Sequence, residues 1–327
     1  MSKSFRRCLF SMLCFALAVS AGAQPAKKVP RVGYLAAVSA TADAPRLAAF
    51  RQGLRDLGYV EGQNIVIDYR HVERDLARLP EVAAELVGLR ADVLVTVTTN
   101  AALAARKVAG TIPLVFMGVT DPIAAGLVES LARPGGHSTG ITNMAAVLTG
   151  KRLEMLKEAF PRLTRVAVLW DRQAPGSIPQ WQESQGPAQT LRLKLHSMEV
   201  SAVEDYVAAF KQAVKARNGA VWITLNPLAN SNQKLIAELA IDHRLPTICA
   251  RSDYADNGCL IAYGPGYSTE GQDGARFLDR ILKGAKPSDL PVEQPTKFEL
   301  VINLKTARRI GVVLPQAVLL RADRLIE

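Results

Sequence analysis

The sequence has few of the residues with which proteins bind metal ions. Its four histidines, His71, His137, His196 and His243, are scattered without the spacing of a metal site. The four cysteines form no C-x-x-C pair. The sequence therefore gives no support for a bound metal, and no other cofactor is expected.

The glycine-rich loops that hold phosphates are also lacking. No G-x-G-x-x-G motif follows the first apolar segment, and Gly150-Lys151 has neither the upstream glycine nor the Ser or Thr of a P-loop. Nucleotide binding therefore has no support. Paired carboxylates are missing as well, because Asp121, Asp171 and Asp253 lie in different predicted units. We expect no enzyme activity and no catalytic residues.

Beyond the N-terminus, no apolar run reaches the ~20 residues that a membrane-spanning helix needs. Residues 1–23 combine a basic start, an apolar segment and small residues at Ala21 and Ala23, which is typical of a cleavable secretory signal. Cys14 is not preceded by the small residues of a lipoprotein signal. We therefore predict that residues 1–23 are removed and that a soluble chain starting at Gln24 is exported.

The chain also lacks a concentrated charge of one sign. Its formal net charge is +10, and removal of Lys3, Arg6 and Arg7 with the signal takes away three positive charges and leaves +7. The remaining basic residues are interspersed with acids, and no basic run has aromatic residues within it. This pattern indicates a solvated surface, and nucleic acid is not an expected partner.

Two cysteines, Cys249 and Cys259, remain after removal of the signal. An oxidising compartment favours a disulfide between them, and Asn257-Gly258 would allow the chain to turn back. The alternative is two free cysteines that behave as small buried apolar side chains. The residues alone leave both interpretations open.

What the sequence does contain is an alternation of strand and helix patterns over a length sufficient for two domains. Of its 327 residues, 49% are hydrophobic and 21% are charged, the balance of a globular protein. The first series has predicted strands at 31–36, 64–69, 92–97 and 112–117, and the second has them at 165–170, 195–200, 220–225, 246–250 and 259–263. A short helix is predicted to start at Asp121-Pro122, and another helix is predicted at 315–326. Apolar runs of this kind predict an α/β fold with parallel sheets in two Rossmann-like lobes.

Breaks in the pattern predict where the chain passes between the lobes. Glycine-rich segments near Gly140 and Gly264 and a proline-rich segment at 287–295 would form three hinge crossings. The predicted N-terminal lobe comprises residues 30–141 and 265–288. The predicted C-terminal lobe comprises residues 142–264 and 289–327.

One motif allows an enzymatic alternative. Residues 136–140, GHSTG, match the G-x-S-x-G nucleophile elbow, so a secreted α/β hydrolase would use Ser138. That elbow needs a strand before the serine and a helix after it, whereas Pro134-Gly135 precedes this serine and the strand-like Ile141-Thr142 follows it. A glycine-rich crossing loop is the preferred interpretation.

Polar residues follow the predicted strands in both series, at the edge where ligands collect in open α/β sheets. Each can cap a helix, and a cap that faces a cleft can also hold a ligand. The polar residues at these positions are Ser39, Thr41, Thr98, Thr99, Asn100, Thr120, Asp121, Asp171, Asn226, Ser252 and Asp253. A small-molecule site between two facing lobes is therefore predicted.

Several stretches of the sequence carry a family resemblance. They are RVGYLAAVSA, FRQGLRDLGYVEGQNIVIDYR, VFMGVTDPIAAGLVESLARPGGHSTGIT, LPTICARSDYADNGCLIAYGP and LKGAKPSDLPVEQPTKFELVINLKTARRIGVVLP. They resemble the periplasmic substrate-binding proteins of ABC transporters, in the family that includes tryptophan- and tyrosine-binding members. The resemblance runs from about Arg31 to the C-terminus. It implies a type I periplasmic-binding fold, a periplasmic location and no catalytic role.

The resemblance also implies a binding site and partners. Carried over by position, the ligand-binding residues are Ser39, Thr98, Asn100, Thr120 and Asp121 in the first lobe and Asp171, Asn226 and Asp253 in the second. Asp121 or Asp253 would pair with an ammonium group, and helix N-termini with Thr and Asn side chains would hold a carboxylate. The expected protein is a monomer that binds a small molecule, such as an amino acid or aromatic compound, and delivers it to an ABC permease and its ATPase. A ligand sensor for a membrane receptor is the other reading of this resemblance.

The chain departs from the family pattern at two places. It has Trp170-Asp171-Arg172 where relatives usually carry an Asn-Pro-rich loop, which leaves the ligand open. Cys249 and Cys259 stand where relatives usually have tyrosine and glycine, and this joint difference favours a disulfide.

Overall fold

The computed structural model describes residues 28–73 and 75–327. The predicted signal peptide, residues 1–23, lies outside this described part of the chain. Within it, no helix combines the length and the apolar character required to cross a membrane.

The first lobe is built on a parallel sheet with strand order β2-β1-β3-β4-β5. Its strands are β1 (Arg31–Ala36), β2 (Val66–His71), β3 (Val93–Val97), β4 (Leu114–Val119) and β5 (Ser138–Thr142). Its helices are α1 (Ala40–Asp56), α2 (Leu79–Gly88), α3 (Thr99–Val108) and, from later in the chain, α10 (Tyr267–Leu282). Helices α1 and α10 share one apolar core with the sheet, and α2 and α3 share another. Both faces of the sheet are therefore covered, which explains its nearly continuous apolar strands.

The second lobe has a sheet with strand order β12-β11-β10-β9-β8-β6-β7. Its strands are β6 (Arg165–Trp170), β7 (Lys194–Glu199), β8 (Ala220–Ile223), β9 (Thr247–Cys249), β10 (Ile261–Gly264), β11 (Glu299–Asn303) and β12 (Arg324–Ile326). Its helices are α4 (Thr149–Ala159), α5 (Ser177–Thr190), α6 (Asp205–Lys215), α7 (Pro227–Ser231), α8 (Gln233–Asp242), α9 (Asp253–Asp256), α11 (Leu304–Ile310) and α12 (Gln316–Leu319). Strands β10 and β11 run antiparallel, and the other neighbours pair in parallel.

The described chain passes between the lobes three times: after β5, after β10 and before β11. The third crossing begins later than the boundary predicted at residue 288. The backbone N–H of Glu293 donates to the carbonyl of Gly140 at 2.9 Å, and the N–H of Thr142 donates to the carbonyl of Glu293 at 3.0 Å. These bonds attach Glu293 to the edge of the first sheet, and Thr142 itself belongs to β5.

Gly140 is not a flexible hinge as the sequence suggested, because it lies inside β5. Its φ is 151°, and a Cβ built at this position would lie 2.0 Å from the carbonyl oxygen of Phe116 on the paired strand β4. Glycine is therefore required there for close approach of two backbones.

Two predicted helices are also replaced by other structure. The residues after Pro122 form turns, and the stretch predicted as one helix at 315–326 contains α12 and β12. A local capping signal was present at Asp121-Pro122, and pairing with β11 decides the second segment. Cys249 and Cys259 form a disulfide, which decides between the disulfide and the two free cysteines that the residues alone left open.

Candidate functional site

A small polar cavity lies where the carboxyl ends of the strands of the two lobes face each other. The residues that line it are Arg46, Thr98, Thr99, Asn100, Gly118, Thr120 and Glu270 from the first lobe, Asn143 from the first crossing, and Gly176, Leu225, Asn226, Pro227, Asn230 and Arg251 from the second lobe. Its volume is about 20 Å³. That is room for roughly one water molecule, so the lobes are closed and a larger solute requires them to separate.

The N-terminus of α3 forms one wall of this cavity. Thr98, which precedes the helix, has a φ of 83° and a ψ of 160°, a backbone conformation rare for a residue with a branched side chain. Such strain is concentrated at functional sites. Thr98 is only 8% exposed, and its side-chain Oγ1 is buried. This oxygen nevertheless has no hydrogen-bond partner among the described residues. A ligand group bound at the N–H groups of the α3 first turn would supply a hydrogen-bond partner for the Thr98 hydroxyl.

A buried cluster of charged side chains forms a second wall. Arg46 on α1 is 2% exposed, and its Nε donates to Oε2 of Glu270 at 2.6 Å while its Nη1 donates to Oδ1 of Asp43 at 2.7 Å. Asp43 also accepts a hydrogen bond of 2.8 Å from the Tyr34 hydroxyl, and its Oδ2 lies 3.1 Å from Nε2 of His71. One guanidinium therefore serves two carboxylates.

Asp43 remains ionised in this cluster. Burial by itself would raise the pKa of Asp43, but the contacts with His71, Arg46 and Tyr34 together hold that pKa below its usual value. The cluster contains two carboxylates, those of Asp43 and Glu270, and one guanidinium, that of Arg46. It thus offers a counter-charge for a cation in the cavity.

The position of Glu270 depends on a glycine in the neighbouring strand. A Cβ built at Gly118 would lie 2.6 Å from Glu270 Oε1, so a side chain there would displace this carboxylate from its present position. Gly118 also has a φ of 68°, which a side chain would strain. Both observations explain the glycine at the penultimate position of β4.

The second lobe contributes another buried arginine. Arg251 follows β9 and is 3% exposed; its Nε donates to Oδ1 of Asp253 at 2.7 Å and its Nη2 donates to Oδ2 at 3.1 Å. Its Nη2 also donates to the hydroxyl of Tyr267, at the start of α10 in the first lobe. The guanidinium carbons of Arg251 and Arg46 lie 3.6 and 4.3 Å from the centroid of the Tyr267 ring. The ring therefore contacts an arginine of each lobe.

Direct contacts close the lobes around the cavity. The backbone N–H of Ser39 in the first lobe donates to Oγ of Ser231 in the second at 3.1 Å. Gly176, before α5, lies against the threonines of the opposite wall, since a Cβ there would meet Thr120 Oγ1 at 2.8 Å and Thr99 Oγ1 at 3.2 Å. The closed arrangement thus depends on the missing side chain of Gly176.

The structure divides the eight residues predicted to bind ligand into three groups. Four of them line the cavity: Thr98, Asn100, Thr120 and Asn226. Ser39 and Asp253 instead line a wider cleft of about 360 Å³ that lies beside the cavity and shares Asn230 with it.

Asp121 and Asp171 lie outside both cavities. The Asp121 carboxylate accepts from the backbone N–H groups of Ile123 and Ala124 at 3.1 and 3.0 Å. That of Asp171 accepts from the N–H of Gln173 at 2.8 Å. Each carboxylate is thus occupied in its own turn, as the capping interpretation of strand-end residues anticipated.

Sequence reasoning missed the charged part of the site. Arg46, Arg251 and Glu270 were not singled out, because scattered basic and acidic residues in a sequence resemble a solvated surface. Arg46 sits within a helix, where the strand-end rule does not apply, and Glu270 comes from a helix that follows a crossing. A signal was present in Gly118, whose place at the end of an apolar strand marks a close approach.

Ser138 does not have the setting of a nucleophile elbow. It lies at the start of β5, pairs with Leu114 and is fully buried, and no helix follows it directly. The geometry that exposes a catalytic serine between a strand and a helix is therefore not met.

Comparison with known proteins gives consistent similarities over nearly the whole chain. A family model described as ABC transporter substrate binding protein matches residues 31–326. The tyrosine-binding protein of Clostridioides difficile (strain R20291) is 25% identical over 261 residues, which cover 80% of this chain and 75% of that protein.

Solved structures show the same architecture. A conserved domain protein from Vibrio cholerae is 26% identical, with a TM-score of 0.87 over 91% of this chain and 100% of that one. An ABC domain from Streptococcus pneumoniae in complex with L-Trp is 24% identical, with a TM-score of 0.82 over 90% of this chain and 100% of that one. Both superpose across the two lobes, so the fold described above is shared.

Proposed function

The chain belongs to the family of ABC transporter substrate-binding proteins, and from this premise we propose that it captures a small zwitterionic solute of the amino-acid type between its lobes. The family is one of binding proteins rather than enzymes. Delivery of the solute to an ABC permease, which its ATPase drives, completes the proposed role.

One observation carries the proposal: groups of opposite character meet across the same small cavity. On one side, the cluster of Arg46, Asp43 and Glu270 has one carboxylate more than it has guanidinium groups. On the other side are the N–H groups of the α3 first turn, Arg251 and the Thr98 hydroxyl, which has no partner among the residues that the structure describes. A molecule with both an ammonium and a carboxylate complements this arrangement.

We assign the ammonium group of the solute to Glu270. This replaces Asp121 and Asp253, the two residues considered from the sequence, because Glu270 lines the cavity and neither aspartate does. The carboxylate is assigned to the N-terminus of α3, with Thr98, Asn100 and Arg251 as side-chain donors. Charge-assisted hydrogen bonds of this kind are the strongest that a polar cavity offers.

The names of the relatives agree with a solute of this class. One is described as tyrosine-binding, and another was determined in complex with L-Trp. L-Tyrosine and L-tryptophan are therefore the first solutes to test. We further propose that the protein acts as a monomer in the periplasm, after removal of residues 1–23.

The proposal is tested with protein that has been unfolded and refolded to remove any carried solute. Calorimetric titration with a panel of L-amino acids should detect binding, and mass spectrometry should find an amino acid in protein purified without that step. Two analogues separate the two charges: tyramine lacks the carboxylate, and 3-(4-hydroxyphenyl)propionate lacks the ammonium. If L-tyrosine is a ligand, each analogue should bind at least roughly tenfold more weakly. Absence of binding by the whole panel, together with no co-purified amino acid, would refute the proposal.

A further inference from the structure

Arg152 on α4 is a buried cation of an unusual kind. The residue is 0% exposed, and within the described part of the chain it forms no ion pair with an Asp or Glu. Burial lowers the pKa of Arg152 to about 9, so it still carries its charge at neutral pH. A buried charge without a carboxylate partner is costly, and its hydrogen bonds must offset that cost.

Among the described residues, Arg152 forms three hydrogen bonds, and all of them go to backbone carbonyl oxygens. Its Nη1 donates to Ala145 at 2.7 Å, its Nε to Tyr263 at 2.9 Å and its Nη2 to Ala250 at 3.2 Å. These acceptors are distant from one another in the sequence. The planar fork of an arginine can reach three carbonyls at once, which a lysine ammonium cannot do with the same geometry.

Each acceptor stands next to a functional part of the molecule. Ala145 follows the first crossing, and its N–H donates to Oδ1 of Asn143, which lines the cavity, at 2.9 Å. Ala250 directly precedes Arg251, the buried arginine of the second lobe. Tyr263 directly precedes Gly264, where the second crossing leaves β10.

The backbone around Gly264 leaves little freedom for rearrangement. A Cβ built on Gly264 would lie 1.9 Å from the carbonyl oxygen of Ala250 and 3.5 Å from Nη2 of Arg152. The end of β10, the end of β9 and the guanidinium are thus packed against one another. Movement of Arg251 or of either crossing on its own would therefore disturb this packing.

We propose that Arg152 is a positioning residue for ligand binding. It joins the second-lobe ends of the first two crossings to the segment that presents Arg251, so that these parts move as one rigid unit when the lobes open and close. The inference goes beyond the proposed function, since it holds for any solute that Arg251 helps to bind.

The test compares Arg152→Gln and Arg152→Lys with Arg162→Gln, an exposed control just after α4. Hydrogen–deuterium exchange of the ligand-free proteins needs no knowledge of the solute. In Arg152→Gln we expect exchange roughly tenfold faster in residues 143–148, 249–253 and 263–266, with β3, β4 and α6 unchanged. Arg152→Lys should show an intermediate exchange rate in these segments, because it keeps the charge but loses the planar guanidinium. The Lys variant also provides the test if the Gln variant does not fold.

Binding gives the second readout, with L-tyrosine and L-tryptophan as probes. If either binds the parent protein, Arg152→Lys should weaken it roughly tenfold, and Arg162→Gln should leave it unchanged. Exchange that rises uniformly over the second lobe, including α6, would show a merely structural role and overturn the proposal. Unchanged exchange in the three segments would also overturn it. Failure of the proposed function would appear separately, as no binding by the parent protein.

Discussion

Nε of Arg46 and Oε2 of Glu270 lie 2.6 Å apart although 224 positions separate the two residues in the sequence. The contact joins α1, near the start of the first lobe, to α10, which returns to that lobe after the second crossing. It places a carboxylate in the cavity that neither helix would provide alone. The binding chemistry of this chain therefore depends on the path of the chain between the lobes.

The first prediction concerns the charge of Glu270. Glu270→Gln should weaken binding of an amino acid by roughly 10- to 150-fold, because a hydrogen bond to a charged group contributes about 1.5–3 kcal/mol. Calorimetry measures the effect. Glu238→Gln on the exposed side of α8 changes the same chemical group and should leave affinity unaltered. Equal affinity in the parent and Glu270→Gln proteins would remove Glu270 from the ammonium site.

The second prediction concerns the hydroxyl of Thr98. Thr98→Val keeps the shape and removes a buried group that has no partner among the described residues. The free energy of unfolding of the ligand-free protein should stay the same or rise. Ligand affinity should fall by roughly 2- to 12-fold, the value of a neutral hydrogen bond.

Thr96→Val is the matched control for Thr98. The Thr96 hydroxyl is likewise buried and unpaired within the described residues, but it lies inside β3 and away from the cavity wall. Its removal should not change affinity. A loss of affinity in both valine variants would indicate a general effect of the sheet rather than a ligand contact.

The third prediction concerns the absence of a side chain at Gly176, where the two lobes meet. Its φ of −73° suits any residue, so Gly176→Val should fold normally. The added side chain should press on Thr120 and Thr99 and hold the lobes apart. We expect a larger radius of gyration by small-angle X-ray scattering and affinity at least roughly tenfold lower.

A second glycine controls for the effects of substitution on the α5 region. A Cβ at Gly186, within α5, meets nothing within 4 Å. Gly186→Ala should leave the radius of gyration and affinity unchanged, because Gly186 does not face the other lobe. If Gly176→Val scatters like the parent protein, the contact between the lobes tolerates the side chain and the prediction fails.

The fourth prediction is a pH dependence of opposite sign for two buried carboxylates. Burial raises the pKa of Asp171, so its contribution to stability is present below the unfolded pKa and is lost as pH rises through the raised value. The pKa of Asp43 is lowered, so its contribution is present above the unfolded pKa and is lost as pH falls through the lowered value.

Urea unfolding from pH 3 to pH 7 compares the two asparagine variants with the parent protein. Asp171→Asn should gain stability relative to the parent as pH rises from about 4 towards 7. Asp43→Asn should lose stability relative to the parent as pH rises from 3 to about 5, and the difference should then stay constant up to pH 7. Parallel curves for the parent and Asp171→Asn proteins would mean that Asp171 titrates as it does in the unfolded chain.

Much of the architecture followed from local sequence patterns, and the predicted family and α/β fold are confirmed. Most of the predicted strands lie within a few residues of their predicted bounds, because the apolar period is a local property of the sequence. The exceptions are β5 and β12, which were predicted as a crossing and a helix. Pairing with β4 and β11 decides both, and the pairing partner is not visible in a short window.

The sequence by itself determined that two βα series face each other with polar strand ends, since periodicity and strand-end chemistry are written along the chain. Only the tertiary structure decided which polar groups share a cavity and which cap their own turns. It brought Arg46, Glu270 and Arg251 together from distant elements, and it gave Arg152 its three carbonyls. The physical reason is burial: a charged residue in a sequence has the same letter whether water or a carboxylate surrounds it.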